Sequence, residues 1–249
     1  MMTNEEEQYV TLFCEGDGTV YTDSKGYPVI GFFQKERTVL EYIDSITENG
    51  HFYQDKNGVW RLMFNGSHCL PLLEIFSKHV AGKHFLERLN EVLAFTGMSL
   101  TAQHPLTLDG FVGFWDAEGS SSNIPAIFVS QKDREILNLI TKMFGGGISH
   151  VKNNTNTWFY QWYLYGTEAH GLAGVILEKC HYPAKAERLR QNFEGPNHYE
   201  LHKERYQTYR DTHKEEQKVR SNTQYAKQKA IREYIKAHPE VVERMEVKL

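Results

Sequence analysis

A nine-residue pattern occurs twice in this chain, as VTLFCEGDG over residues 10–18 and as FVGFWDAEG over residues 111–119. Each copy is an apolar run with an acid at its sixth position (Glu15, Asp116), a small residue at its seventh (Gly16, Ala117) and an acid just before its closing glycine (Asp17, Glu118). Asp17 and Glu118 lie 101 residues apart, which fits a single unit duplicated in tandem. Duplication limits the possible folds, because equivalent elements of two like halves meet about a pseudo-two-fold axis. Two carboxylates presented there are what a pair of divalent metal ions requires. At the third position the copies part, with Leu12 in the first and Gly113 in the second. That difference leaves open how closely the two segments can approach.

The segments after the two copies run in the same order. Residues 19–36 alternate around Ser24-Lys25-Gly26 and predict a β-hairpin. Apolar residues at Val39, Leu40, Ile43 and Ile46, stopped by Gly50, predict a helix. The stretch HFYQDKNGVWRLMFNG predicts a second hairpin turning at 55–58, and CLPLLEIFSKHV and HFLERLNEVLAFTG predict two further helices. The second copy leads into a shorter hairpin, SSSNIPAIFVSQKD. A helix (REILNLITKMF), another hairpin (ISHVKNNTNTWFYQWYLYG) and two helices (EAHGLAGVILEK, KAERLRQNF) complete it. Both first hairpins end in Gln-Lys, at Gln34-Lys35 and Gln131-Lys132. The expected class is α+β: two αββαββαα repeats over 1–95 and 107–195, a linker over 96–106, and a charged helical extension over 196–249.

Charge does not by itself point to a nucleic acid. Residues 1–195 hold 16 Lys and Arg against 23 Asp and Glu, and residues 196–249 hold 12 against 9, whereas phosphate backbones favour basic partners. A nucleic-acid reading therefore requires acids on outer helical faces and basic residues gathered on one surface. Cys14, Cys69 and Cys180 lack paired spacing, which excludes a disulfide framework and a structural zinc site and fits a reduced compartment. The N-terminus is acidic and no run reaches eighteen apolar residues, so a cytoplasmic protein, or one of an organellar matrix or stroma, is expected. The twelve histidines show no ligand spacing, Ser120 to Ser122 have no nearby His–Asp arrangement, and Gly145 to Gly147 are not followed by the Gly-Lys of a phosphate loop.

The doubled pattern resembles the LAGLIDADG motif of homing endonucleases and intron maturases, in its monomeric two-motif form. The resemblance implies two closely packed motif helices, each ending in an acid that the helix dipole opposes and that asks for a compensating cation. Asp17 and Glu118 are then the metal ligands, for two or three Mg2+ ions that Mn2+ or Ca2+ can replace for binding. Gln34 and Gln131 match the position that holds waters beside the metals. Lys83 and Lys185, ahead of the last helix of each unit, match roughly the active-site basic residue; that both are ordinary surface lysines is equally open. Glu15 and Asp116 are read as solvent or cap partners.

The hairpins would carry recognition, since two-stranded ribbons fit the major groove and Arg, Lys, Asn and Gln read base edges there. The candidates are Tyr21, Lys25, Tyr27, Lys35, Arg37, Lys56, Asn57 and Arg61 in the first unit, and Lys152, Asn153, Asn154, Asn156, Gln161 and Tyr163 in the second. Singly, each is an ordinary outward strand residue; together they form a set. The function implied is site-specific double-strand cleavage of a long asymmetric DNA target by an intron-encoded or free-standing monomer. An RNA maturase acting on its intron and a non-catalytic DNA-binding protein are the alternatives. The extension would clamp phosphates, bind a partner or remain a solvated appendage.

Overall fold

The computed structural model describes residues 2–101, 104–122, 125–152, 155–193, 211–212 and 214. The chain divides into two units, Met1–Asn197 and His198–Leu249. In the second, Asp211, Thr212 and Lys214 are helical and exposed, and the remainder of the expected extension lies outside the described residues.

The first unit is built twice over. Helix α1 (Asn4–Asp17) is followed by β1 (Gly18–Thr22), β2 (Pro28–Gln34), α2 (Arg37–Thr47), β3 (His51–Gln54), β4 (Trp60–Asn65), α3 (Leu70–His79) and α4 (Lys83–Thr96). The second half repeats this as α5 (Leu108–Glu118), β5 (Gly119–Ser122), β6 (Ala126–Gln131), α6 (Arg134–Phe144), β7 (Gly147–Lys152), β8 (Trp158–Tyr165), α7 (Gly166–Lys179) and α8 (Pro183–Phe193). The expected class and element order are both observed. Each half carries one antiparallel sheet, ordered β1-β2-β4-β3 and β5-β6-β8-β7. Among the described residues no helix is long and apolar enough to cross a membrane.

The motif segments are helices buried all round, from Gln8 to Glu15 in α1 and from Gly110 to Ala117 in α5. Such a helix belongs at the centre of a core rather than at its surface. A capping box starts α1: the Glu6 amide donates to Thr3 Oγ1 (3.2 Å) and the Thr3 amide to Glu6 Oε2 (2.7 Å). Thr107 Oγ1 accepts from the Gly110 amide at the start of α5. The two helices lie against each other on small residues. A Cβ on Gly113 would collide with the Tyr9 backbone, and one on Gly16 would come within 2.5 Å of Ala117 Cβ. Leu12, the departure in the first copy, is accommodated because Gly110 lies opposite: a Cβ there would sit 3.2 Å from the Leu12 side chain. Close approach is thus kept, with most of the glycines on α5.

The inner faces of the sheets pack on these helices. Register places Val20, Ile30 and Phe64 in one row and Phe32 and Leu62 in the next, all buried. Phe32 packs edge-on against both Phe64 and Phe76. In the second half Ile127, Val129, Trp162 and Leu164 take the same positions, and Trp162 Nε1 donates to the Gly145 carbonyl (2.9 Å).

Candidate active site and nucleic-acid interface

The close packing of α1 and α5 brings their C-terminal turns side by side. Glu118 lies against the last turn of α1, since a Cβ on Gly16 would be 3.0 Å from Glu118 Cγ. Burial pushes the Asp17 carboxyl up to about 6, opposed by the Lys185 charge and by a hydrogen bond from Gln34. Burial and then the charge of Asp17 push Glu118 up to about 7, again against Lys185. Glu118 therefore senses Asp17, in a setting where both acids already share the charge of Lys185.

Lys185 supplies that charge. Its Nζ donates to the carbonyls of Trp115 (3.2 Å), Asp116 (2.7 Å) and Ala117 (2.6 Å), closing the C-terminus of α5 where a cation is favoured. Gln34 reaches the other acid: its Nε2 donates to Asp17 Oδ2 (2.7 Å), and its Oε1 accepts from Tyr182 O–H (3.2 Å). Gln131 repeats the bond to the following amide, which Gln34 Oε1 also accepts from Lys35 (2.9 Å). Its Oε1 accepts from the Lys132 amide (2.7 Å), and the side chain lines a cleft shared with Gly82 and Phe85.

Lys83 is not the partner of Lys185. It is exposed in the first turn of α4, its charge acting on Glu135. The helix starts fix the correspondence: Leu86 N–H bonds Gly82 O as Ala186 N–H bonds Tyr182 O, and Val80 N–H bonds Phe76 O as Cys180 N–H bonds Ile176 O. Both pairs differ by 100, so Lys83 matches Pro183 and Lys185 matches Phe85. The lysines, 102 apart, coincide in type and not in place.

The outer faces of the sheets hold part of the expected recognition set. Arg61 points outward, paired with Asp55 (2.9 Å) and lying over the Phe33 ring. Tyr21 is outward and exposed, and Gln161 and Tyr163 lie on the equivalent face of the second sheet. Lys25, Tyr27, Lys56, Asn57 and Asn156 are exposed on hairpin turns, Lys35 just past the end of β2 and Lys152 at the end of β7 over the Trp158 ring. Asn153 and Asn154 lie outside the described residues. Arg37 departs from expectation. It starts α2, pairs with Glu41 (2.9 Å) and lies over Phe52 and Trp60, rings in register with the inward face. The strand alternation stops short of this helix, and Arg134 repeats the arrangement over Tyr160. Aromatic and small polar residues dominate the outer faces: Phe33 and Tyr53 beside Arg61, and Phe128, Tyr163 and Tyr165 beside Ser120, Ser122 and Ser130.

The sequence matches no family model and no curated protein. Solved structures do match. The I-LtrWI LAGLIDADG homing endonuclease bound to target DNA aligns with 76% of this chain and 90% of its own at 11% identity and a TM-score of 0.53. Meganuclease I-SmaMI on uncleaveable DNA with a TTGT central four aligns over 76% and 87% at 12% identity and 0.52, and I-SmaMI on cleaved DNA over 76% and 87% at 13% and 0.50. The fold is that of the LAGLIDADG homing endonucleases.

Within this LAGLIDADG fold the sixth-position acids prove to be cap partners, and buried ones. Glu15 accepts from the amides of Ala81 (2.6 Å) and Gly82 (2.7 Å) at the start of α4. Asp116 accepts from Tyr9 O–H (2.6 Å), the His181 amide (2.9 Å) and Cys180 S–H (2.9 Å) just ahead of α8. A second pair of acids, not anticipated from sequence, caps across the halves: Asp133 accepts from the His84 amide (3.0 Å) and Glu36 from the Ala184 amide (3.4 Å). Their signal was present, since each directly follows the repeated Gln-Lys. Glu15→Ala would leave two amides without an acceptor and is expected to destabilise the fold by about 1–3 kcal/mol. Glu15→Gln should lose less. Urea midpoints of the two variants check this, and equal, unshifted midpoints would contradict it.

Proposed function

We propose that the chain is a divalent-metal-dependent endonuclease cutting both strands of a long, asymmetric DNA duplex. The observation that carries this reading is the convergence of Asp17 and Glu118 on adjoining helix ends beside Lys185 and Gln34. Two carboxylates raised by burial, Glu118 further by the charge of Asp17, are the charge that a divalent cation relieves. Among the described residues no group of three or more His, Cys, Asp or Glu could hold a metal ion. Two acids fit Mg2+ nonetheless, because it keeps several waters and takes phosphate oxygens as its remaining ligands. Asp17 and Glu118 would hold it, and when bound it would activate water and stabilise charge on the phosphate. Gln34 positions the Asp17 carboxylate and is placed to order water. Lys185 holds the last turn of α5, and so Glu118, in place, and adds positive charge to a site where negative charge develops.

The decisive assay is cleavage of a plasmid carrying the insertion site of the host element, run beside splicing of that element's transcript. Linear product in Mg2+ supports the proposal. Splicing rescue without DNA cleavage would make the chain a maturase, and DNA binding with neither activity a regulator.

Two halves in one chain supply both motif helices, so the 29.0 kDa protein is expected to be monomeric in solution by light scattering. A dimer at micromolar concentration would count against the reading. The aromatic outer faces suit thymine methyl groups better than guanine edges, because outward cations there are few. Replacing thymine by uracil at a contacted position is expected to weaken binding about three- to fivefold, the worth of one buried methyl at ~0.8 kcal/mol. Unchanged affinity for a fully uracil-substituted target would refute this.

A further inference from the structure

Tyr182, half-buried just ahead of α8, touches both of the side chains that bear on Asp17. Its O–H donates to Gln34 Oε1 (3.2 Å), and Lys185 Nζ lies 5.3 Å from the centre of its ring. The Gln34 amide has one orientation in which every contact is met. Its Oε1 accepts from Tyr182 O–H and from the Lys35 amide (2.9 Å), which leaves Nε2 to donate to Asp17 Oδ2 (2.7 Å). Turned over, the carbonyl oxygen would face a carboxylate and the NH2 would face the Lys35 N–H, acceptor against acceptor and donor against donor. The phenol stays a donor, because burial and then the charges of Glu36 and Asp17 hold its pKa above the ordinary value. The loop that carries it is fixed in turn. Asp116 on α5 accepts from the His181 amide and Cys180 S–H, and the Tyr182 carbonyl accepts from the Ala186 amide.

We propose that Tyr182 is a positioning residue for metal capture, holding Gln34 and Lys185 in the arrangement that readies Asp17 for a divalent cation. This rests on the endonuclease reading and adds to it a residue that acts only through its neighbours. A carboxyl that is ordered before its cation arrives binds it more tightly than one that must be ordered on binding. Gln34 orders the Asp17 carboxyl, and Tyr182 orders Gln34. The ring contributes separately, by carrying the Lys185 head whose charge offsets both acids. Loss of the hydroxyl alone should therefore raise the demand for metal and leave the bond-breaking step nearly untouched.

The test starts from Tyr182→Phe in the full-length protein, which keeps the ring and removes the O–H. The Mg2+ concentration for half-maximal plasmid cleavage should rise about three- to tenfold, the worth of one hydrogen bond, with the rate at saturating Mg2+ within about twofold of wild type. Tyr182→Leu, which loses the ring as well, should need about two- to fivefold more Mg2+ again. In a Gln34→Leu background the Tyr182→Phe change should add less than about twofold, because the group it acts through is gone. A further readout needs neither metal nor turnover. In the metal-free protein labelled with 15N-glutamine, the Gln34 side-chain amide signals, identified by their loss in Gln34→Leu, should move towards those of a free amide in Tyr182→Phe, while those of Gln131 stay. Unmoved Gln34 signals, or effects of the two substitutions that simply multiply, would overturn the inference. A wild-type protein that cuts no DNA would overturn the endonuclease reading, whatever the amide signals show.

Discussion

Asp17→Asn and Glu118→Gln are each expected to lower DNA cleavage in Mg2+ on the order of 10³-fold or more, while target affinity stays within about tenfold. An amide keeps the shape of the carboxyl and removes the charge that holds a cation. Either variant cutting both strands at near wild-type rate would remove the acids from the reaction. The same substitutions should make the metal-free protein more stable at neutral pH. Both acids are held above their unfolded values, to about 6 for Asp17 and about 7 for Glu118. A carboxyl with a raised folded pKa binds more protons folded than unfolded, so stability is present below the unfolded value and lost as pH rises through the folded one. The gain in Tm for Asp17→Asn should therefore be clear at pH 8 and vanish near pH 4. Mg2+ should raise the wild-type Tm at pH 8 and do so less for the variant. A pH-independent difference would mean that burial does not hold Asp17 above its unfolded value.

Gly113→Val is expected to abolish the native fold, a loss of more than about 3 kcal/mol. A Cβ at this position meets the Cα, carbonyl carbon and carbonyl oxygen of Tyr9, and backbone in a buried helix has nowhere to move. Gly174 in α7 is the control, because a Cβ there meets nothing within 4 Å. Gly174→Ala should stabilise the helix by ~0.5–1 kcal/mol. Thermal melts and limited proteolysis of the two variants decide the matter. A soluble Gly113→Val protein with a wild-type melt would mean that the helices are not in contact there.

Much of this was legible in the sequence because duplication gives every element a second witness. The motif helices, the hairpins and the Gln-Lys strand ends recur in order, and tertiary packing had no reason to override them. Lys83 misled because the loops ahead of α4 and α8 differ from the motif spacing, and helix register depends on which amide finds which carbonyl. Arg37 misled because alternation says nothing about where a strand stops. The role of Leu12 could not be read at all, since the glycine that makes room for it, Gly110, sits just outside the repeated pattern. The cross-half caps join residues 49 and 148 positions apart: the acid after each Gln-Lys was visible in the sequence, and the amide it caps was not.

Those caps bear on any attempt to build hybrids. A chimera joined within the loop between α4 and α5 would combine the last helix of one parent with the capping acid of another at each of two places. Unless the grafted half brings an acid equivalent to Glu36 or Asp133 at matching reach, each mismatched junction loses about 1 kcal/mol at a helix start. The cut-and-paste unit is therefore not the repeat as the sequence outlines it, but the repeat together with one borrowed carboxylate.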